Sequence, residues 1–425
     1  MKSKINNTRN KFYESLAVKI FDDLANLTKS NKGVTRDSYG SGENKALKYL
    51  KNLASELGFL IEIDEAANLI FSINDSKDEP YVLIGSHVDS VPGGGNFDGL
   101  AGVVAGFIVL TEIKEKKIKT KFPIKVLALR GEESAWFGTN YIGSKAIFGL
   151  LTDNDLTSKH REKDLTLKDA MSLSGANIKK IKLSKKLINK KKIKAFIELH
   201  IEQGPILIDR NWPAAIVTGI RGNFRYRKIS CEGTAGHSGT TPRWLRQDSV
   251  FASAELISRM DDHWTTILQH GGDLVLTSGI FHTDFSHHAM SRIPGELFFS
   301  FEARSQDPET LLALEGLLKS ECKTIERDRG VKFKFDEMIK SVPAELDKNI
   351  INKLLEAAKK DGLQDAIIPS GAGHDAAIFA TEGIPTGMIF VRNYNGSHNP
   401  DEKMEIKDFM VGVTILKNFI KNFEF

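Results

Sequence analysis

The 425-residue sequence holds two cysteines, Cys231 and Cys322, far apart and in no metal-binding or redox pairing. A thiol-based metal site and a disulfide framework are therefore excluded, and a reducing, cytoplasmic setting is the expectation. Uncharged apolar runs never approach the roughly 18 residues that a membrane span needs. The first residues, MKSKINNTRNKFYESL, lack the apolar core and cleavage site of a secretory leader. Charge of either sign is scarcely in excess: 59 lysines and arginines against 55 acids leave +4. Much of that basic excess sits in one stretch, Lys179 to Lys194, without interleaved aromatics or zinc-finger spacing. It reads as a solvated lysine-rich segment, and no nucleic-acid partner is expected.

What is present has globular proportions: 41% hydrophobic, 27% charged, 35 glycines against 12 prolines. The length suits one large domain or two. Residues 10–29 and 46–57 carry apolar positions at helical spacing. Extended runs follow at 69–73 and 81–84, and GLAGVVAGFIVLTEI reads as a largely buried helix. Further strands are expected at 121–130, 194–204 and 383–392, with a helix at 350–360. Strand, loop and helix alternate there as in an α/β sheet, whose ligand sites lie at the carboxyl ends of strands. Between about 216 and 326 the texture changes to strands and two helices, as in an inserted α+β domain. The expected organisation is a first catalytic part at 1–212, an inserted domain at 213–330 and a second catalytic part at 331–425.

The chemistry-bearing residues fall at those strand ends. GSHVDSVPGGGNFDG follows the apolar run at 81–84, and the doublet Glu132–Glu133 follows the strand ending near 130. Two carboxylates so close repel if both face one cavity, unless a cation takes one as ligand and leaves the other a base. His87, Asp98 and Glu133 are natural nitrogen and oxygen ligands for zinc, manganese, cobalt or nickel. Asp89 is placed to accept the other imidazole proton of His87. Each also has a plain structural reading, as a surface histidine, a solvated acidic doublet or a mobile glycine turn. Recurrence argues for chemistry: further histidines stand in ELHIEQG (His200), GTAGHSGTTP (His237), GAGHDA (His374) and NGSHNPDE (His398).

Together with an early GVTRDSYG, these motifs in this order resemble the hydantoinase/carbamoylase group of amidohydrolases within the M20-type metallopeptidase superfamily. That group includes N-carbamoyl-L-amino-acid hydrolases and allantoate amidohydrolases. The resemblance spans nearly the whole chain, and ELHIEQG points away from ordinary peptidases and N-acyl deacylases. It implies an α/β fold: a mixed-sheet dinuclear-metal catalytic domain interrupted by a smaller α+β lid and dimerisation domain. Two divalent metal ions per subunit are implied, one held by His87 and His200, the other by Glu133 and His398, with Asp98 shared. Glu132 is the implied general base, Asp89 the support of His87, and His237 the group that stabilises the oxyanion.

Substrate contacts implied by the same resemblance are Arg304 for a small-molecule carboxylate, with Gln203 and the backbone of Gly371, Ala372 and Gly373. Ser291 stands where the family usually has asparagine, and SAWFG, with Trp136, replaces its usual run after the acidic doublet. The implied reaction is hydrolysis of an N-carbamoyl amino acid. The alternatives are hydrolysis of allantoate or another linear ureido or amidine compound, and a metal-stabilised scaffold without turnover. A homodimer through the inserted domain is implied, and no membrane partner.

Overall fold

The structure, a computed structural model, describes residues 2–75, 79–182, 186–363 and 365–424. Residues 183–185, inside the lysine-rich stretch, lie outside the described residues. The chain forms two compact units, one of residues 1–218 and 345–425, the other of 219–344. The divisions fall at 218/219 and 344/345, later than the 212/213 and 330/331 that sequence texture suggests. The second shift has a clear cause. Lys332–Phe335 and Ile339–Ser341 pair antiparallel with Gly222–Glu232, so these strands complete the smaller sheet.

The larger unit is built on a mixed sheet. From one edge inward the strands run Leu60–Ile63, Leu69–Ser72, Ile124–Leu129, Tyr81–His87, Ile193–Ile201, Thr386–Val391 and Ala214–Ile220. The four central strands are mutually parallel, whereas Leu69–Ser72 and Ala214–Ile220 join antiparallel. Central strands covered on both faces bury every residue, as Tyr81–His87 and Ile124–Leu129 do. The helix Leu100–Lys116 is buried from Leu100 through Ile113, which explains why its sequence lacks a polar face. Its Gly102 permits close approach to the sheet: a Cβ there would lie 2.2 Å from the Leu199 carbonyl oxygen. Among the described residues no helix is long and apolar enough to cross a membrane.

The smaller unit is a six-stranded antiparallel sheet with the helices Ser249–Gln269 and Pro308–Arg329. Glu296–Ser305 alternates buried and half-buried residues along its whole length, the period-2 pattern of a strand with one face in a core. Leu297, Phe299, Phe301 and Ala303 line that core with Leu256, Leu314 and Leu318 from the helices. Both helices open on an aspartate, Asp248 and Asp307, whose side chains accept the first free backbone N–H groups.

Candidate metal centre

The four central strands end at one edge of the large sheet, and the loops leaving them carry the polar residues. His87 closes its strand and His200 lies one residue before the end of its own. Glu132 and Glu133 follow Leu129 by three and four residues. Asp98 precedes the buried helix, and Gly99 there takes a φ of +67°. A Cβ on Gly99 would stand 2.4 Å from the His87 ring, so only glycine lets this turn pass beneath the imidazole.

The two histidines have their tautomers set by carbonyl groups. His87 Nδ1 lies 3.1 Å from the Asp89 carbonyl oxygen, and His200 Nδ1 lies 2.9 Å from that of Ile201. A carbonyl only accepts, so each Nδ1 carries the proton and each Nε2 presents a lone pair. The Gly99 N–H, 3.1 Å from His200 Nε2, likewise treats that nitrogen as an acceptor. The two Nε2 atoms face each other at 3.4 Å. Asp98 Oδ1 stands 3.5 Å from the first and 3.2 Å from the second. Three ligand atoms thus converge, and the acids beside them, Asp89 and Asp98 at His87 and Asp98 at His200, outweigh burial and hold both imidazoles above their ordinary range, so this trio calls for positive charge.

A second convergence shares Asp98. His398 Nε2 lies 3.3 Å from Asp98 Oδ2 and 3.2 Å from Glu133 Oε1. These carboxylates pull the His398 imidazole up to about 11, a measure of how strongly they call for positive charge there. His398 itself takes a left-handed φ of +61°, and its half-exposed side chain faces both acids. His87, Asp98 and His200 form one trio of ligand atoms, and Asp98, Glu133 and His398 another, each within 4.8 Å. The five expected ligands are therefore brought together, and their donor set fits divalent ions bound by nitrogen and oxygen.

Glu132 borders the first trio, with Oε2 3.9 Å from His87 Nε2. Burial pushes its carboxyl well above the ordinary range; His87 opposes this, and Glu133 and Asp375 add to it. Asp89 ties the parts together. Its carboxylate accepts the backbone N–H groups of Glu132 at 3.0 Å and Glu133 at 3.1 Å, and the Ser38 hydroxyl at 2.6 Å. Oδ1 also lies 3.3 Å from His87 Nδ1. Gln203 Nε2 donates to Asp98 Oδ2 at 2.8 Å. Gly373 meets Tyr141: a Cβ at 373 would fall 1.7 Å from the Tyr141 hydroxyl oxygen. Beside it, the Ser370 hydroxyl contacts the backbone of Ala372 and the ring of His374.

Not every expected residue belongs to this cluster's unit. His237, Ser291 and Arg304 lie in the unit of residues 219–344. There His237 pairs in register with Arg292 in a short two-stranded ladder, and the Ser238 N–H donates to the Ser291 carbonyl at 2.9 Å. Arg304 Nη2 lies 3.0 Å from both carboxylate oxygens of Glu302, two residues back on the same strand.

The sequence from residue 83 to 422 matches the family model of peptidase family M20/M25/M40. It is 31% identical over 388 residues to the N-carbamoyl-L-amino-acid amidohydrolase of Pseudomonas sp. (strain NS671), covering 91% of this chain and 92% of that one. It is 31% identical over 386 residues to the allantoate amidohydrolase of Escherichia coli (strain K12), covering 90% and 91%. The crystal structure of a hydantoinase/carbamoylase family amidase from Burkholderia multivorans matches with a TM-score of 0.86 at 26% identity, covering 96% and 97%. The chain belongs to the hydantoinase/carbamoylase family of the M20 peptidases.

As a member of that family, the chain presents its clustered histidines and acids as a dinuclear-metal amidohydrolase site. Several residues of this hydantoinase/carbamoylase site escape a reading of the motifs alone. Glu198, fully buried, accepts the Ser86 hydroxyl at 2.7 Å and the Ala376 N–H at 2.8 Å, and stands near both His200 and His374. Ser38 supports Asp89 from within GVTRDSYG. Ser397 and Glu402 flank His398 and reach Asp98. Their signal was their place inside the quoted motifs; their partners are 51 or more residues away in sequence, so pattern could not pair them.

Proposed function

We propose that this chain hydrolyses the linear C–N bond of a small N-carbamoyl amino acid, consuming one water and releasing ammonia, carbon dioxide and the amino acid. The observation that carries the reading is the pair of ligand trios sharing Asp98, with the uncommitted carboxyl of Glu132 at their edge. In this reading His87 and His200 hold one divalent ion and Glu133 and His398 a second, with Asp98 between them; zinc, manganese, cobalt and nickel all suit the set. When bound, such ions acidify a water and polarise the scissile carbonyl.

The chain's own residues do the rest. Asp89 fixes His87 in the tautomer that frees Nε2 and, through two backbone N–H groups, sets the direction of the acidic doublet. Glu132, its carboxyl raised by burial, takes the proton of the attacking water and delivers it to the departing nitrogen. His237 stabilises the oxyanion, and Arg304 forms a fork on the substrate carboxylate while Ser291 holds its polar end. Gln203 and the Gly371–Gly373 backbone complete the recognition. The unit 219–344 serves as lid and as the contact of a homodimer, and the enzyme works in the cytoplasm, where its two free cysteines stay reduced.

Allantoate is the second reading, supported by the resemblance to the Escherichia coli enzyme along 90% of this chain. The test is ammonia release, with products weighed, from metal-loaded enzyme. The substrates are N-carbamoyl-L- and D-amino acids, N-carbamoyl-β-alanine, allantoate and N-acetyl amino acids, with Glu132→Ala as blank. Turnover of carbamoyl amino acids absent from the blank supports the proposal. Preference for allantoate replaces the substrate and keeps the chemistry, and cleavage of N-acetyl compounds alone would overturn both.

A further inference from the structure

Glu402 is a buried acid that the proposed chemistry does not use, 7% exposed in the loop after His398. Its carboxylate faces the loop that carries Asp98. Oε1 accepts the Phe97 N–H at 2.8 Å and the Asp98 N–H at 3.3 Å. Oε2 lies 2.6 Å from the Ser397 hydroxyl, and the same hydroxyl lies 2.5 Å from Asp98 Oδ2. One serine, adjacent in sequence to His398, therefore spans two carboxylates, one of them the ligand shared by both trios.

The glycine connector makes room for this. A Cβ on Gly95 would lie 2.1 Å from the Glu402 carboxyl carbon, so any side chain there would expel the acid. Gly93 turns the same connector with a φ of +60°. The PGGG stretch is thus shaped around Glu402 as much as around flexibility. Glu402 grips the backbone of the Asp98 loop at one oxygen and, at the other, Ser397, which holds the Asp98 side chain. Freed of this grip, Asp98 Oδ2 keeps the Gln203 amide at 2.8 Å and the His398 ring at 3.3 Å, but loses the hydroxyl that ties it to the backbone-anchored Glu402.

We infer that Glu402, acting through Ser397, is a positioning residue that locks Asp98 in the orientation from which it serves both ligand trios. It joins the loop bearing His398 to the loop bearing Asp98, so the second trio is assembled by this clasp. The inference rests on the metal reading above. Loss of an orienting partner of this kind weakens metal binding by about 10- to 100-fold.

The experiment is titration of the metal-free full-length chain with cobalt(II), read by bound equivalents and by the cobalt visible spectrum, with thermal melts of each metal-free variant. Ser397→Ala is expected to melt within about 2 °C of the wild type, since it removes one hydroxyl at a half-buried site. Its second equivalent of cobalt is expected to bind about 10- to 100-fold more weakly, with an altered spectrum. Glu402→Ala should do the same. Glu402→Gln should bind cobalt as the wild type does, because its amide oxygen still accepts the backbone N–H groups and its amide N–H still engages Ser397.

Two tightly bound equivalents with an unchanged spectrum in Ser397→Ala overturn the inference even if Glu402→Ala fails to fold. Loss of cobalt in Glu402→Gln with Ser397→Ala unaffected also overturns it, since charge and not the clasp would then be at work. A wild-type chain that binds no cobalt defeats the metal reading itself, and this inference with it.

Discussion

Asp89→Asn tests the scaffold on which the site stands. The substitution keeps shape and volume but turns one accepting oxygen into an amide that only donates. Placed at Oδ1, that amide would confront the Glu132 N–H and the protonated Nδ1 of His87. Placed at Oδ2, it confronts the Glu133 N–H, while the Ser38 hydroxyl can turn to accept. The second arrangement is the cheaper. It still orphans one buried backbone donor, a cost of about 1–3 kcal/mol, and reduces charge-assisted bonds to neutral ones, about 1 kcal/mol more. With roughly 2 °C lost per kcal/mol in a unit of this size, the melting temperature should fall by about 4–8 °C.

The displaced N–H belongs to Glu133, so on the proposed assignment an ion held by Glu133 and His398 should bind about 10- to 100-fold more weakly. Ser38→Ala is the comparison: it removes one donor from Asp89 and leaves both backbone bonds, so stability should fall by about 1 kcal/mol with metal affinity unchanged. Scanning calorimetry and competitive metal titration measure both quantities. An Asp89→Asn protein that melts and binds metal as the wild type does would refute the assignment of Asp89 as the organiser of the doublet.

Other expectations follow from single contacts. Gly99→Ala forces a Cβ to 2.4 Å from the His87 ring at a φ of +67°, so metal loading should collapse and the melting temperature drop, and full loading would be inconsistent with the turn described. Cys231 and Cys322 are buried, and burial pushes the Cys231 thiol up to about 11 and Cys322 above its usual range. Neither should react with a disulfide reagent at pH 8 until the chain is unfolded, and rapid labelling in native buffer would count against that core.

His160 Nδ1 accepts the backbone N–H groups of Glu162 and Lys163 at 3.1 and 3.2 Å. Burial, with Lys163 nearby, lowers its pKa, so the unfolded chain binds this proton first. Its stabilisation is present above the unfolded value near 6.5 and is lost as pH falls through the folded value. His160→Asn, which keeps an acceptor and removes the titration, should flatten the dependence of melting temperature on pH below about 6.5; an unchanged slope would show that another group controls it.

Much of this was legible in the sequence because the fold and the ligands obey local rules. The helix at 100–116 announces itself by the apolar run from Leu100 through Leu110, and Glu296–Ser305 by apolar Leu297, Phe299, Phe301 and Ala303 at every second position. His87 and the acidic doublet announce themselves as polar residues directly after apolar strands. The motif order supplied His200 and His398, which spacing alone left among several histidines. What stayed hidden depends on contacts between distant segments. Lys332–Phe335 and Ile339–Ser341 are too short to declare their sheet, and only pairing with Gly222–Glu232 assigns them. Glu402 stands inside NGSHNPDE, yet nothing in that motif shows its partners Phe97 and Asp98, about 300 residues earlier. Buried polar networks satisfy hydrogen bonds across the fold and carry no period along the chain.

The balance of charge in the larger unit leads to a further test. Asp89, Asp98, Glu132, Glu133, Glu198, Asp375 and Glu402 are all buried around the two trios. The fully buried cation beside them, Arg36, gives its hydrogen bonds to the Val88 and Asn96 carbonyls and the Asn96 side chain, not to these acids. A metal-free chain must offset so many carboxylates by holding protons. Burial indeed raises Asp375 to about 7, with Glu198 adding to it, and Glu402 to about 7, with Asp98 adding to it. A carboxyl raised in the folded state favours folding at low pH and loses that contribution as pH climbs from about 4 through about 7.

Divalent ions bound at the trios would replace those protons, and their binding would add about 2.7 kcal/mol at a hundredfold excess over the dissociation constant. The melting temperature gap between metal-loaded and chelator-treated protein should therefore widen from pH 5 to pH 7.5. Calorimetric binding in buffers of different ionisation enthalpy should show protons released near neutral pH. A gap independent of pH, together with no proton release, would mean that the acids are compensated inside the chain, and the case for a cation at their centre would lose its electrostatic footing.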